Sequence, residues 1–236
     1  MSELLITAMS SAKQIMQAQA VNANNLANAS TDGFRAEIAY ISGIGSGGGV
    51  YSTPDLSPGT VRTTGRNLDI SIDGKGWIAT MAADGSEAYS RRGDLKIDTF
   101  GILSNGAGRQ IMGNNGPIAL PPFTSIEIAT DGTISIQPLG QSPNTMAIID
   151  RIKLVLLEDS ELYRGEDGLM RLPPGTTAGA DASIRIFSGS LEGSNVNAVS
   201  EMVKMIDLAR RFEAQVKLMR SAQENDAALV KLMSLN

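Results

Sequence analysis

The residue types that most often catalyse reactions or bind metals are scarce in this chain. It contains no histidine and no cysteine among its 236 residues. Ser-His-Asp and Cys-His catalytic arrangements and the common zinc sites are therefore excluded. Aspartate and glutamate are plentiful, so a pair of carboxylates for hydrolysis stays open, although no pair stands out by its spacing. A carbohydrate-active enzyme built on the central part of the chain is the alternative that depends on such a pair.

Two short motifs resemble ligand-binding loops, and their surroundings argue against both. Gly43, Gly45 and Gly48 reproduce a G-x-G-x-x-G string, but the Val-Tyr-Ser-Thr-Pro run after it cannot open the helix that a dinucleotide site requires. Residues 69–74 imitate the start of an EF-hand loop, but its twelfth position is Thr80 instead of an acidic residue. We therefore expect no cofactor, no metal and no small-molecule substrate.

Charge and hydropathy further limit the classes of protein to which the chain could belong. The net charge of −5 argues against nucleic acid or an anionic membrane as the main partner. Apolar residues make up 42% of the chain, which is enough for a folded core. No stretch approaches 18 uninterrupted apolar residues, and we expect neither a membrane span nor a cleaved signal peptide. These observations favour a structural protein over an enzyme.

The N-terminal region has the periodicity of a long helix. Apolar and small residues recur at steps of three and four, and no glycine or proline occurs before Gly33. The pattern predicts a helix over about 3–28, which ends in the turn-forming residues that precede Gly33. The predicted contact seam of this helix consists of Leu5, Ala8, Ala12, Ile15, Gln19, Asn22 and Leu26.

The C-terminal region has a second pattern of the same kind. Residues 197–236 contain no glycine and no proline, and Asn197 is suited to cap a helix N-terminus. The spacing predicts a helix of nearly 40 residues, a length typical of coiled coils and bundles. Its predicted seam consists of Met202, Ile206, Ala209, Phe212, Val216 and Met219.

Between the two helical regions the sequence has the character of β-structure. Short runs that alternate apolar and polar residues are separated by Asp-Gly and Asn-Gly turn signals, which predicts an antiparallel β domain over 62–193. Residues 37–61 are rich in Gly, Ser and Pro and are expected to be a connector. Residues 1–36 and 194–236 then form a discontinuous helical domain. The fold class predicted is α+β: long terminal helices pair as a coiled-coil-like core layer, and the central antiparallel all-β domain forms an outer layer.

A pair of helices cannot enclose a dry core by itself. The seam of the first helix is small and polar, which suits close contact with register set by polar side chains. We therefore expect other subunits to cover the remaining apolar surface.

Four asparagines near the end of the first helix have separate expected roles. Asn22 continues the seam and is expected to form a hydrogen bond across the helix contact. Asn28 is placed at the helix end, as a cap or in the following turn. Asn24 and Asn25 are assigned to adjacent subunits or to the backbone of the turn, and Gly33 is expected to take a positive φ.

Motifs in three parts of the chain resemble one protein family. The segment 24–34 is similar to the N-terminal signature of bacterial flagellar rod and hook proteins, and residues 192–197 are similar to the closing motif of that family. Residues 64–77 resemble the start of its central β domain, and the likeness covers nearly the whole chain. The signature turn consists of Asn24, Asn25, Leu26, Asn28, Thr31, Gly33 and Phe34, and the C-terminal motif of Ser194, Asn195, Val196 and Asn197.

The resemblance implies a function that the spacing of residues does not. It implies a structural subunit of the flagellar basal-body rod, which is exported unprocessed through the type III export apparatus and assembles helically in the periplasm. The tube so formed would transmit torque and enclose the export channel. Its partners would be copies of itself, other rod proteins and the export apparatus, with no nucleic acid. The length and the segment 208–213 most resemble proximal-rod members of the family, with the distal-rod members as the alternative.

Overall fold

The computed structural model describes residues 3–42, 49–141, 145–158 and 162–233. Gly43, Gly45 and Gly48 lie outside them. The chain divides into two compact units, and the α+β fold class predicted from the sequence is confirmed. The helical unit comprises residues 1–29, 36–55 and 196–236, and the β unit comprises residues 30–35 and 56–195.

The helical unit contains two helices and one hairpin. Helix α1 spans Glu3–Ala27 and helix α2 spans Ala198–Met233. Strands β1 (Glu37–Ser42) and β2 (Gly49–Pro54) pair in antiparallel register. Helix α1 lies against both α2 and the hairpin, so the predicted pairing of the terminal helices is confirmed. Over the residues that the structure describes, neither helix is apolar enough to cross a membrane.

Local signals in the sequence account for the helix ends. Asn197 Oδ1 accepts a hydrogen bond from the Ser200 backbone N–H at 3.1 Å, which is the N-cap that the sequence predicts for α2. At the end of α1, the Asn28 side chain donates to the Asn24 carbonyl at 2.9 Å. The backbone N–H of Asn28 donates to the same carbonyl at 3.2 Å, so Asn28 supplies two hydrogen bonds to the last turn of α1.

Residues 37–61, expected to be a connector, contain the β1–β2 hairpin over Glu37–Ser42 and Gly49–Pro54. Tyr40 lies opposite Tyr51 in the β1–β2 hairpin, and their rings stack with centroids 6.0 Å apart. The Asp55 N–H donates to the Ala36 carbonyl at 2.7 Å and closes the base of the hairpin. Residues 37–61 as a whole are rich in glycine and serine, a composition typical of loops. The β-forming residues before and after the glycine-rich part are therefore hard to recognise from the sequence.

The β unit consists of short strands, and every pairing found among its described residues is antiparallel, as predicted. One sheet has the order β12-β5-β6-β14-β13 and another the order β11-β10-β9, while β15-β4, β16-β3 and β7-β8 are two-stranded pairs. The strands are β3 (Val61–Thr63), β4 (Ile70–Asp73), β5 (Trp77–Met81), β6 (Glu87–Ser90), β7 (Leu95–Ile97), β8 (Leu103–Asn105), β9 (Phe123–Ile128), β10 (Thr133–Pro138), β11 (Ala147–Arg151), β12 (Leu154–Val155), β13 (Tyr163–Arg164), β14 (Met170–Arg171), β15 (Arg185–Ser188) and β16 (Ser190–Glu192).

Two apolar clusters form the core of the β unit. The larger is built mainly from isoleucine and leucine, with Ile70, Ile78 and Leu95 fully buried. The smaller contains Trp77 and Tyr89. Burial raises the pKa of the Tyr89 hydroxyl to about 12. This hydroxyl is hydrogen-bonded to the Glu87 carboxylate and to the Ala178 N–H, both at 3.0 Å, so the polar end of a buried aromatic side chain is satisfied.

Candidate assembly surfaces

One side of α1 is buried within the helical unit. Small and aliphatic residues on this side allow the neighbouring elements to approach closely, and Asn22 adds a polar group among them. The structure buries Leu5, Ala8, Ala12, Ile15 and Asn22, and leaves Gln19 and Leu26 half-buried.

The two halves of the predicted α2 seam differ in their burial. Phe212, Val216 and Met219 are half-buried, whereas Met202, Ile206 and Ala209 are exposed. The first part of the predicted seam therefore does not line the contact with α1. In its place, one position earlier along the chain, Glu201 is buried and Met205 and Leu208 are half-buried.

A polar contact explains why this side of α2, and not the predicted one, faces α1. Asn22 Nδ2 donates a hydrogen bond to Glu201 Oε2, and both side chains are buried. The other carboxylate oxygen of Glu201 accepts from Lys204 Nζ at 2.6 Å. Hydrogen bonds to an ionised carboxylate are stronger than those between neutral groups, so Glu201 fixes which side of α2 faces α1. Glu201 does not stand out in the sequence, because an acidic residue in a first helical turn is common without any partner.

As a result, apolar side chains near the start of α2 are left in solvent. Val199 is 71% exposed, Met202 50%, Val203 62% and Ile206 55%. Steps of three and four residues place them along one line on the helix, which we call the α2 stripe. An amphipathic helix in a self-sufficient globular unit directs such a line toward the core. Here the helix directs it away from α1.

Asn25 has a role within the helical unit. Its side-chain amide donates to the Glu37 carbonyl and its side-chain oxygen accepts from the Glu37 N–H, both at 2.8 Å. The buried Asn25 therefore pairs with the first residue of β1 in the way a neighbouring strand would. Of the two roles expected for Asn24 and Asn25, the structure gives Asn25 a backbone contact just beyond the turn, while the Asn24 side chain is exposed.

In the β unit, the signature turn meets the end of strand β16. Gly33 has φ of 70°, as predicted, and its N–H donates to the Glu192 carbonyl at 2.7 Å. A Cβ atom added to Gly33 would lie 2.4 Å from backbone atoms of Arg91 and Arg92. Glycine is therefore required here both by conformation and by space.

Next to this turn lies a cluster of three buried charged residues, which we call the buried triad. Glu192 accepts from Arg35 at 2.6 Å with one carboxylate oxygen and from Arg91 at 3.1 Å with the other. The Gly59 N–H adds a third hydrogen bond to the carboxylate at 2.9 Å. Burial lowers the pKa of the Arg91 guanidinium, while the charge of Glu192 opposes that shift. The triad joins the N-terminal signature to the closing motif, which no spacing in the sequence reveals.

The C-terminal motif contributes to both units. In the β unit, Asn195 Nδ2 donates to the Ser57 carbonyl at 3.0 Å. In the helical unit, Asn197 caps α2 as described above. Ser194 and Val196, on either side of Asn195, are half-buried. Across residues 3–42, 49–141, 145–158 and 162–233, no group of three or more metal-ligating side chains occurs.

Known proteins of one family match this chain over its whole length. The family model described as flagella basal body rod protein matches residues 5–35, the FlgE/F/G D1 domain of flagellar hook protein matches 71–136, and the C-terminal model of the flagellar basal body rod FlgEFG protein matches 188–232. The basal-body rod proteins FlgF of Salmonella typhimurium and of Escherichia coli are each 42% identical, with 100% of both chains covered. FlgG of Bacillus subtilis is 31% identical over 80% of this chain and 74% of its own.

Proposed function

Because the chain belongs to the family of flagellar basal-body rod proteins, we propose that it is a structural subunit of the proximal part of the rod. The full-length match to FlgF proteins favours the proximal position. Matches to FlgG proteins are lower in identity and cover less of the chain, which makes the distal-rod alternative weaker. The relatives are named as rod proteins, and we propose no catalytic role.

The proposed mechanism of assembly rests on the α2 stripe. Four apolar side chains at least half exposed form a line that the subunit itself does not cover. Burying the rest of each side chain against a neighbouring subunit would stabilise the contact by about 1 kcal/mol per residue. Repetition of one such heterologous contact produces a helical filament. Resistance to torque would then come from the many side chains that interlock along the rod, without any covalent step.

The remaining parts of the proposal rest on family membership. We propose that the subunit lies in the periplasmic part of the basal body, that it is exported by the type III apparatus without a cleaved signal, and that the assembled tube encloses the export channel. Other rod proteins and further copies of this chain are its partners. The assembly contacts include the predicted seam residues Met202 and Ile206, which are exposed in the single subunit.

The proposal is tested by a matched pair of substitutions. The chain is expressed in a motile bacterium whose own rod subunit of this type has been deleted, and swimming and isolated basal bodies are examined. We expect the unaltered chain to restore swimming and Ile206→Asp to abolish rod assembly, because a charge would have to be buried in the contact. Ile148→Asp places the same charge at an exposed isoleucine of strand β11 and should be tolerated.

Two results would contradict the proposal. One is failure of the unaltered, exported chain to appear in basal bodies. The other is normal swimming with Ile206→Asp. Circular dichroism of the purified variants separates loss of assembly from loss of folding, since Ile206 is exposed and its replacement should leave the helical content unchanged.

A further inference from the structure

The sequence contains two Asn-Gly dipeptides, and both lie in the β unit. One is Asn105-Gly106, where strand β8 ends, and the other is Asn115-Gly116, in the loop between residues 112 and 117. An asparagine followed by glycine can lose its side-chain amide without an enzyme, because glycine has no Cβ to hinder attack by its backbone nitrogen on the asparagine side chain. In a folded protein the rate of this reaction depends on how firmly the two reacting groups are held.

In the first dipeptide, hydrogen bonds hold both reacting groups. Asn105 is 2% exposed, and its side-chain oxygen accepts from the Ala107 N–H at 3.1 Å and from the Arg109 N–H at 3.0 Å. The Gly106 N–H donates to Asp94 Oδ1 at 3.3 Å. Attack by the Gly106 nitrogen would break these buried hydrogen bonds, so the fold protects Asn105.

The second dipeptide lacks such contacts. Asn115 is exposed, and among the described residues neither its side chain nor the Gly116 N–H forms a hydrogen bond. The Gly116 carbonyl accepts from the Gly113 N–H at 2.7 Å, which closes the loop but leaves the Gly116 nitrogen without a partner in this part of the structure. A Cβ atom added to Gly116 would meet no other atom within 4 Å. The Asn115 carboxamide and the Gly116 nitrogen therefore have room to approach each other.

We propose that Asn115 is a site of spontaneous deamidation in the folded protein. The Gly116 backbone nitrogen attacks Cγ of Asn115, the new N–Cγ bond forms, and the Cγ–Nδ2 bond breaks. The proton of the Gly116 N–H leaves with the side-chain nitrogen as ammonia. Water then opens the succinimide ring at either carbonyl carbon, which gives aspartate or isoaspartate. Because the side-chain amide is not formed again, the modification accumulates with the age of each copy of the chain.

The reaction changes the loop in two ways. Each product adds one negative charge to a chain whose net charge is already −5. Isoaspartate also adds one carbon atom to the backbone between the two residues of the dipeptide, inside the loop that the Gly113–Gly116 hydrogen bond closes. Every residue involved belongs to the β unit, so the proposal does not depend on assembly into a rod.

Trypsin separates the two dipeptides, which makes the protected one an internal control. Cleavage after Lys96, Arg109 and Arg151 gives one peptide with Asn105 and another with Asn115. The full chain is incubated in warm, mildly alkaline buffer, and mass spectrometry follows the mass increase of deamidation in each peptide. In the folded chain we expect Asn115 to react at least about tenfold faster than Asn105. In urea, where the fold no longer protects Asn105, the two rates should become similar.

A matched pair of variants assigns the reaction to one residue. Asn115→Gln keeps an amide, but its longer side chain forms a ring far more slowly, so the mass increase of that peptide should disappear. Asn114→Gln, at the exposed position before it, should keep the mass increase. An isoaspartyl methyltransferase should detect isoaspartate in this peptide of the unaltered chain. Equal rates for Asn105 and Asn115 in the folded chain, or a mass increase that persists in Asn115→Gln, would overturn the proposal.

Discussion

At the scale of single residues, the most constrained positions lie where the two family motifs meet. Gly33 is fixed by its backbone conformation and by the approach of Arg91 and Arg92. Glu192 is fixed by three hydrogen bonds to its carboxylate. Removing a carboxylate of this kind strands two buried positive charges, which is among the most destabilising changes a single substitution can make.

The two causes that require glycine at position 33 can be separated by experiment. Gly33→Ala introduces both an unfavourable φ and a collision with backbone atoms. Gly65→Ala is the matched control: Gly65 has φ of 75° and open space where the Cβ would be. We expect Gly65→Ala to lower the free energy of unfolding by about 1–2 kcal/mol and Gly33→Ala by about 2–5 kcal/mol. Urea unfolding followed by Trp77 fluorescence measures both, and equal losses would contradict the steric argument.

The sequence identified some of these residues and could not identify their partners. A glycine between Asp32 and Phe34 in a turn-forming run indicates a positive φ by itself. Arg35 and Glu192 are 157 positions apart, and neither belongs to a periodic pattern. Their pairing is determined by the tertiary fold, which local spacing does not encode.

At the scale of elements, α2 shows how a polar contact can override an apolar pattern. Several lines of apolar residues run along this helix, and the seam predicted from the sequence is the one through Met202 and Ile206. The structure turns Glu201 toward α1 and leaves those two residues exposed. Periodicity predicts that a helix has a buried side, but where two sides are equally apolar it does not decide which is used within the subunit.

A double-variant cycle tests the contact between Asn22 and Glu201. Asn22→Leu leaves a buried carboxylate without its hydrogen bond to α1, and we expect it to destabilise the helical unit by about 1–3 kcal/mol. Adding Glu201→Leu should recover much of that loss, because both polar partners are then replaced by apolar groups. Hydrogen exchange of α1 amides in the purified subunit gives the free energies. Asn24→Leu, at an exposed position, is the control.

Two results of this cycle would contradict the prediction. If Asn22→Leu and Asn24→Leu change exchange in α1 by the same amount, the buried hydrogen bond does not stabilise the pairing. If the double variant is as unstable as the sum of the single variants, the two residues act independently.

At the scale of the whole molecule, the two ends of the chain belong to one unit and most of its middle to another. The sequence predicted this order because a change from three- and four-residue periodicity to alternation is visible without a structure. The residues 37–61 assigned to a connector contain the β1–β2 hairpin, and residues 30–35, assigned to the helical domain, group with the β unit. Both differences lie where the local composition suits a loop and tertiary contacts decide the fold.

The central claim is that neighbouring subunits in the rod cover the α2 stripe. The chain has no cysteine, so Ile206→Cys creates a single thiol whose reaction with a maleimide reports its exposure. The labelling rate is measured in the purified subunit and in isolated rods, with Ile148→Cys as the matched control. We predict that Ile206→Cys reacts at least about tenfold more slowly in rods than in the free subunit, corresponding to a protection of about 1.4 kcal/mol or more. The control should react at similar rates in both. Equal rates for Ile206→Cys in rods and in the free subunit would contradict the claim.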